Sequence, residues 1–390
     1  MKILFYADTV FGFGGVQRVL SVISQALSKN HDVSILSTDK NVDMSIYGYD
    51  KFPIQFRYIT YESAHDLQYF WCKMLSMFYK KLLPRNAITA RLYSYSFFLP
   101  RYKKALITEI NSRNYDVVIG VHAFLSLHLA SIRAKLEAGM TIGWMHNSYE
   151  ALFEKKNPYL PHLREFFSFE IKKLDKVVVL SRCDATLFSE RLGIDAITIY
   201  NPLTLKPCGR GKASNKRFLA VGRFSPLHKG FDLLIKAFAI FAETNSDWTL
   251  EIVGEGEEEP LYRRLIAEAG LEKRIIISPF TSDIQSHYAA ASVYVLSSRW
   301  EGFGLVLVEA MSHGLPIIAS DVPVACELLE GKDIAVFFPR CNIMELAEIM
   351  GKMADRSDLD AMGDRAIEYS SQFSIKDISK RWEQVMGGYR

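Results

Sequence analysis

The sequence predicts an α/β fold of two doubly wound halves, each a mostly parallel sheet with helices on both faces. Three observations carry this expectation. Short apolar runs recur at 3–7, 33–37, 54–59, 117–121, 141–145 and 177–180, with helical or mixed stretches between most of them. A second series of the same rhythm occupies 218–221, 249–253, 275–277, 293–296, 317–319 and 335–338. Between the two series, 206–216 is rich in Gly, Pro and Lys, the composition of a linker. A chain of 390 residues is long enough for two separate cores.

Composition narrows the class. Apolar residues make up 49% and charged residues 23%, as in an ordinary folded chain, and a net charge of +3 gives no pointer to nucleic acid. The cysteines (72, 183, 208, 326 and 341) are scattered, odd in number and form no C-x-x-C pair. That pattern argues for a reducing compartment and against a zinc site or disulfide framework. The N-terminal apolar run meets Asp8 too soon for a signal peptide and reads as a first buried strand. No apolar run reaches the ~18 residues that span a bilayer. A cytoplasmic protein is expected, with peripheral attachment to the inner face of a membrane left open.

After the first strand comes a glycine loop, Gly12-Phe13-Gly14-Gly15, leading into a helix. A dinucleotide fingerprint would need its third glycine where Gln17 stands, so that match fails. The stretch 67–104 breaks the alternation. It holds eight basic residues, no acid and a dense set of aromatics, with Pro84 and Pro100 as breaks. Two readings stay open there: amphipathic helices on an anionic membrane surface, or a helical insertion whose aromatics enter the core. His146 emerges at the carboxyl end of the strand at 141–145, the edge where open α/β sheets bind ligands, and His122 ends the preceding strand.

In the second half, Arg223 and Lys229 leave a strand end close together and are followed by Gly230 and a helix start. A planar fork beside a flexible point charge suits a diphosphate. Asp232 is a plausible N-cap for a helix over 233–243. Gly254-Glu255-Gly256 closes the next strand, either to let a ligand approach or as a plain turn. The stretch from Trp300 to Gly314 then reads as a strand end, a glycine turn and a short helix stopped by Gly314 and Pro316. Backbone N–H groups at that helix start form an anion site. Glu301 and Glu309, eight residues apart, bracket it. This arrangement suits a sugar nucleotide, and the plain alternative is a βα crossover with two surface glutamates. The helical stretch 375–389 places Ile378, Trp382 and Val385 on one side.

The run Glu301-Gly302-Phe303-Gly304-Leu305, Glu309, and then Ala-Met-x-x-Gly-x-Pro-Ile-Ile-Ala resembles the E-x7-E signature of retaining glycosyltransferases of family 4. Gly14-Gly15-x-x-Arg18 and Gly222-Arg223…Lys229-Gly230 resemble the same family's loops, so the likeness covers nearly the whole chain. It implies the GT-B fold, two Rossmann-like domains facing across a cleft: an acceptor domain at 1–205, a nucleotide-sugar domain at 206–373, and a final helix, 374–390, crossing back to the first. It implies that Gly14 and Gly15 approach the donor phosphates and acceptor, and that His146 reaches the donor sugar. Arg223 and Lys229 would hold the diphosphate, Gly254 and Gly256 would lie beside the nucleotide, and Gly302, Phe303, Gly304 and Leu305 would cradle the donor. Glu301 would contact the sugar and Glu309 the ribose.

The implied reaction is retaining transfer of a hexosyl or N-acetylhexosaminyl unit from a nucleoside diphosphate sugar, most simply a UDP-sugar. The implied acceptor is a glycan hydroxyl, carried on a lipid during synthesis of a bacterial surface polysaccharide. No cofactor or metal is implied, and no D-x-D motif lies beside a strand. Two departures stand out: Val322-Pro323-Val324 replaces a frequent Gly-Gly turn, and 278–283 carries no residue that would specify the base. A sugar-nucleotide epimerase on the same fold and a non-catalytic sugar-nucleotide-binding protein are the alternatives.

Overall fold

The computed structural model describes residues 1–39, 42–60, 66–225 and 227–387. The chain divides into two units, one made of Met1–Pro202 and Ile375–Arg390, the other of Leu203–Ser374. The first holds β1 (Lys2–Ala7), β2 (Asp32–Ser37), β3 (Ile54–Tyr58), β4 (Val117–Val121), β5 (Met140–Trp144), β6 (Lys176–Val179) and β7 (Ala196–Thr198). They form one parallel sheet in the order β3-β2-β1-β4-β5-β6-β7. β1 and β2 are buried at every position but their first, which is why both read as unbroken apolar runs.

The second unit holds β8 (Arg217–Val221), β9 (Thr249–Val253), β10 (Ile275–Ser278), β11 (Val293–Leu296), β12 (Ile317–Ser320) and β13 (Ala335–Phe338). These too are all parallel, in the order β10-β9-β8-β11-β12-β13. Its core stacks Phe218 on Trp248 at 4.6 Å and closes Phe224, Phe231 and Tyr262 edge to face. In each sheet the strand order reverses once, between β1 and β4 and between β8 and β11. The crevice at the carboxyl ends of such a pair is where open α/β sheets place ligands.

The helix after β8 starts earlier than its sequence suggests. It spans Phe231–Ala242 behind Gly230, and Asp232 lies in its first turn instead of capping it. The Asp232 carboxylate is engaged elsewhere, by both terminal nitrogens of Arg299 at 3.0 and 2.8 Å.

The last helix, Ile375–Val385, packs on the Gly15–Leu27 helix of the first unit. Ile378 and Trp382 are its buried side, and the Trp382 ring meets Trp144 of β5 at 4.8 Å. Glu383 reaches His31 at 3.1 Å, and Lys176 Nζ donates to the carbonyl of Val385.

The basic, aromatic stretch forms helices Leu67–Lys81, Ala87–Phe97 and Pro100–Asn111. Tyr79 and Tyr93 are buried and stacked at 4.4 Å, Tyr93 abuts Phe166, and Phe98 stacks on His128 at 3.8 Å. Part of the aromatic set therefore does enter the core. No helix among the described residues is long and apolar enough to cross a membrane.

Candidate active site

In the second unit the carboxyl ends of β8, β9 and β11 carry three glycine turns knitted together by backbone bonds. Gly222 donates to the Val253 carbonyl, and Phe224 to the Glu255 carbonyl at 2.7 Å. The fit is close enough that a side chain at Gly254 would meet the Gly222 carbonyl oxygen at 2.0 Å. Gly256 packs in the same way on the Phe224 backbone. The two glycines are thus required by this turn-on-turn contact whatever else lies beside them. Arg223 is exposed at the rim of this layer.

Lys229 folds inward. Its Nζ donates to Glu301 Oε1 at 2.6 Å, and Ser298 Oγ donates to the same oxygen at 2.6 Å. The Lys229 and Glu301 side chains are only 13% and 6% exposed, so this is a buried ion pair. Burial alone would raise the Glu301 pKa. The charges of Lys229 and His228 and the bonds from Lys229 and Ser298 outweigh it, holding the carboxyl below its ordinary range. The loop around the pair is braced. His228 stacks on Trp300 at 4.8 Å and its Nε2 lies 3.1 Å from the Trp300 carbonyl, Ser297 Oγ donates to the Lys229 carbonyl, and Ser320 Oγ donates to the Ser298 carbonyl.

Behind Gly302 and Phe303, Gly304 caps the Leu305–Ser312 helix at φ 74, a left-handed conformation that glycine adopts without strain. The N–H groups of that helix's first turn therefore open beside the Glu301 loop. Glu309 lies further along the same helix, 2% exposed, and accepts from the Tyr288 hydroxyl at 2.9 Å. The plain alternative of two surface glutamates fails: both carboxylates are buried and bonded.

In the first unit, Gly14 caps the Gly15–Leu27 helix at the carboxyl end of β1. Tyr47 ties down the loop, accepting from Gly14 N at 3.3 Å and donating to the Gly12 carbonyl at 3.1 Å. Asp39 accepts from Val10 N.

The two histidines at this edge separate sharply. His146 follows β5, but its ring is buried against Trp144 at a centroid distance of 4.3 Å, and burial pushes its pKa down to about 3. The ring is neutral and rests on Trp144, with its Nε2 buried and bonded to no described protein atom. His122, at the end of β4, adopts φ 64 to cap the Ala123–Ile132 helix. Its Nδ1 accepts from Phe124 N, which leaves the proton on Nε2, 3.0 Å from Asp8 Oδ2. Burial works to raise the Asp8 pKa, but the His122 bond and charge bring it below its usual value. His122 and Asp8 form the open polar pair at the switch point, and the shared strand-end position of both histidines was the only signal the sequence offered.

A depressed histidine pKa has a predictable cost in acid. Below about pH 6.5 the unfolded state takes up a proton that buried His146 refuses, so stability falls as pH drops from there toward 3. His146→Phe should keep the ring packing and lose less melting temperature between pH 7 and 4.5 than the wild type. Parallel pH curves for the two proteins would remove this account.

Set beside these two parallel doubly wound sheets, the likeness to known proteins supports a glycosyltransferase of the GT-B fold. Residues 210–370 match the family described as glycosyl transferases group 1. Over 398 residues the chain is 29% identical to an uncharacterized glycosyltransferase of Haemophilus influenzae, covering 99% of each chain. It is 27% identical over 236 residues to the GDP-mannose:cellobiosyl-diphosphopolyprenol alpha-mannosyltransferase of Komagataeibacter xylinus, covering 57% of this chain and 60% of that one. The solved structure of Anabaena HepE in complex with UDP superposes with a TM-score of 0.75 over all of both chains at 18% identity, a likeness of fold.

Proposed function

We propose that the chain is a retaining family 4 enzyme that moves a hexosyl or N-acetylhexosaminyl unit from a nucleoside diphosphate sugar, UDP-linked in the simplest case, to a glycan hydroxyl. The observation that carries this is the buried Lys229–Glu301 pair beside Arg223 and the start of the Leu305–Ser312 helix. A diphosphate leaving group gathers negative charge as its bond to the sugar breaks. Arg223, Lys229 and the helix N–H groups supply fixed positive charge for it, with no metal called for. Glu301 and Glu309 serve as acceptors for sugar and ribose hydroxyls. The acceptor oxygen forms the new bond to the anomeric carbon on the face the diphosphate leaves, and its proton passes to a departing phosphate oxygen.

The first unit is the acceptor unit in this reading. Its glycine loop at Gly14 and Gly15 approaches the substrates, and His122, oriented by Asp8 and the more exposed of the two strand-end histidines, contacts the sugar. The acceptor we propose is a saccharide on a lipid carrier in bacterial surface polysaccharide synthesis, handled in the cytoplasm at the inner membrane face. The Komagataeibacter relative, whose named acceptor is a diphosphopolyprenol, supports this, as does the UDP bound to Anabaena HepE for the donor.

The test is thermal shift and slow hydrolysis by the full chain against a panel of nucleotide sugars, with the anomeric configuration of any product read by NMR. One UDP-sugar should stabilise the protein, and Glu309→Gln should weaken that stabilisation about tenfold in apparent affinity. No response to any nucleoside diphosphate sugar, or an inverted product, would overturn the reading. His122→Ala should lower turnover by about 10²-fold with little change in donor KM, a magnitude typical of a positioned polar group in a transition state.

A further inference from the structure

The first two of the three helices after β3 bury only one side of their apolar content. On the Leu67–Lys81 helix, Ser76 and Tyr79 face the core, Ser76 bonded to the Tyr93 hydroxyl at 3.1 Å. Away from them, Leu67, Phe70, Trp71, Leu75 and Phe78 recur at helical spacing and run on to Leu82, from 38% to 79% exposed. The next helix, Ala87–Phe97, repeats the pattern with Ile88, Leu92 and Tyr95, each at least 60% exposed. Scattered apolar residues at a surface need no explanation, but two consecutive helices with continuous apolar stripes do.

The charge around the stripes is of one sign. Lys73, Lys81 and Arg91 are exposed on the same two helices, and 67–104 contains no acid. The acid at its border, Asp66, is spent on capping the first helix and pairing Arg101. Lys103 does not belong to the surface: its Nζ donates to the Ser94 carbonyl at 2.6 Å, and burial lowers its pKa.

We propose that the outer face of helices Leu67–Lys81 and Ala87–Phe97 is a docking surface for an anionic lipid bilayer. The stripe side chains enter the acyl boundary, and Lys73, Lys81 and Arg91 meet the headgroups. A face made mainly of aliphatic and aromatic side chains offers a protein partner few polar groups to read, whereas a bilayer needs only an apolar face with a cationic rim. Trp71 and Tyr95 are the side chains that favour the headgroup level. The surface belongs to the first unit and the donor-site residues to the second, and only the lipid-linked acceptor rests on the glycosyltransferase reading.

Flotation of the full chain with vesicles of phosphatidylcholine, with and without phosphatidylglycerol, tests this. The wild type should float with the anionic vesicles at low salt, release as salt rises, and show a blue shift in tryptophan emission that Trp71→Ala abolishes. Lys73→Glu/Lys81→Glu/Arg91→Glu, all on the surface, should weaken binding at least 100-fold, given roughly fivefold per basic residue near such a surface. Nucleotide-sugar hydrolysis should stay unchanged in both variants, which shows them folded and keeps this test distinct from that of the donor site. Absent flotation of the wild type at low salt, or equal flotation of wild type and triple variant, would overturn the proposal. So would sedimentation showing a wild-type dimer that Trp71→Ala splits, since a second copy would then cover the face.

Discussion

Lys229→Met should cut glycosyl transfer by about 10³-fold and lower the melting temperature as well. The first effect comes from charge. Removing a fixed donor from a group that becomes more negative in the transition state typically costs ~3–4 kcal/mol of barrier. The second comes from what stays behind. Glu301 is buried and would keep Ser298 but lose its cation, and a buried charge without a partner costs about 3–5 kcal/mol. The two effects separate in a double variant. Lys229→Met/Glu301→Gln leaves no buried charge, so it should recover most of the melting temperature and none of the activity. A single variant that unfolds more easily yet transfers at the wild-type rate would reduce the pair to an internal brace.

Trp382→Ala should destabilise the first unit by about 3–5 kcal/mol, the usual cost of emptying a large aromatic site that cannot collapse. Trp382 is 1% exposed and rests on Trp144, which in turn carries the His146 ring. Its removal therefore loosens a stack, not a single contact. Calorimetry should show the transition of the first unit moving down while that of Leu203–Ser374 holds, and Lys380→Ala, on the exposed side of the same helix, should change neither. A Trp382→Ala protein whose unfolding matches the wild type would contradict this packing.

How much of this was legible beforehand varied with the physics behind each feature. Strands buried on both faces announce themselves as apolar runs, and eleven further strands matched their runs about as plainly as β1 did. β7 did not: three residues long and half-buried at the sheet's edge, Ala196–Thr198 offers no run to detect. The glycine turns were visible because backbone approach excludes every other residue. The Lys229–Glu301 bond was not, since the two stand 72 residues apart and spacing cannot say which cation a carboxylate meets. His122 and His146 hold equivalent strand-end positions, and what parts them is burial, a tertiary matter. In 67–104 the composition supported two readings because aromatics lie on both sides of the helices: Tyr79 and Tyr93 point inward, Trp71 and Tyr95 outward.

The path of the chain between the units sets an order of assembly during synthesis. Leu203–Ser374 is one uninterrupted segment with all six strands of its sheet, so it has everything it needs before the last helix is made. The first unit, begun earlier, must wait: its Trp144 stays without Trp382 until Ile375–Val385 leaves the ribosome. Domains ordinarily fold from the N-terminus as they emerge. Here the part translated first is completed last, and until then it presents the bare side of β5 and of the Gly15–Leu27 helix to whatever chaperones attend the nascent chain.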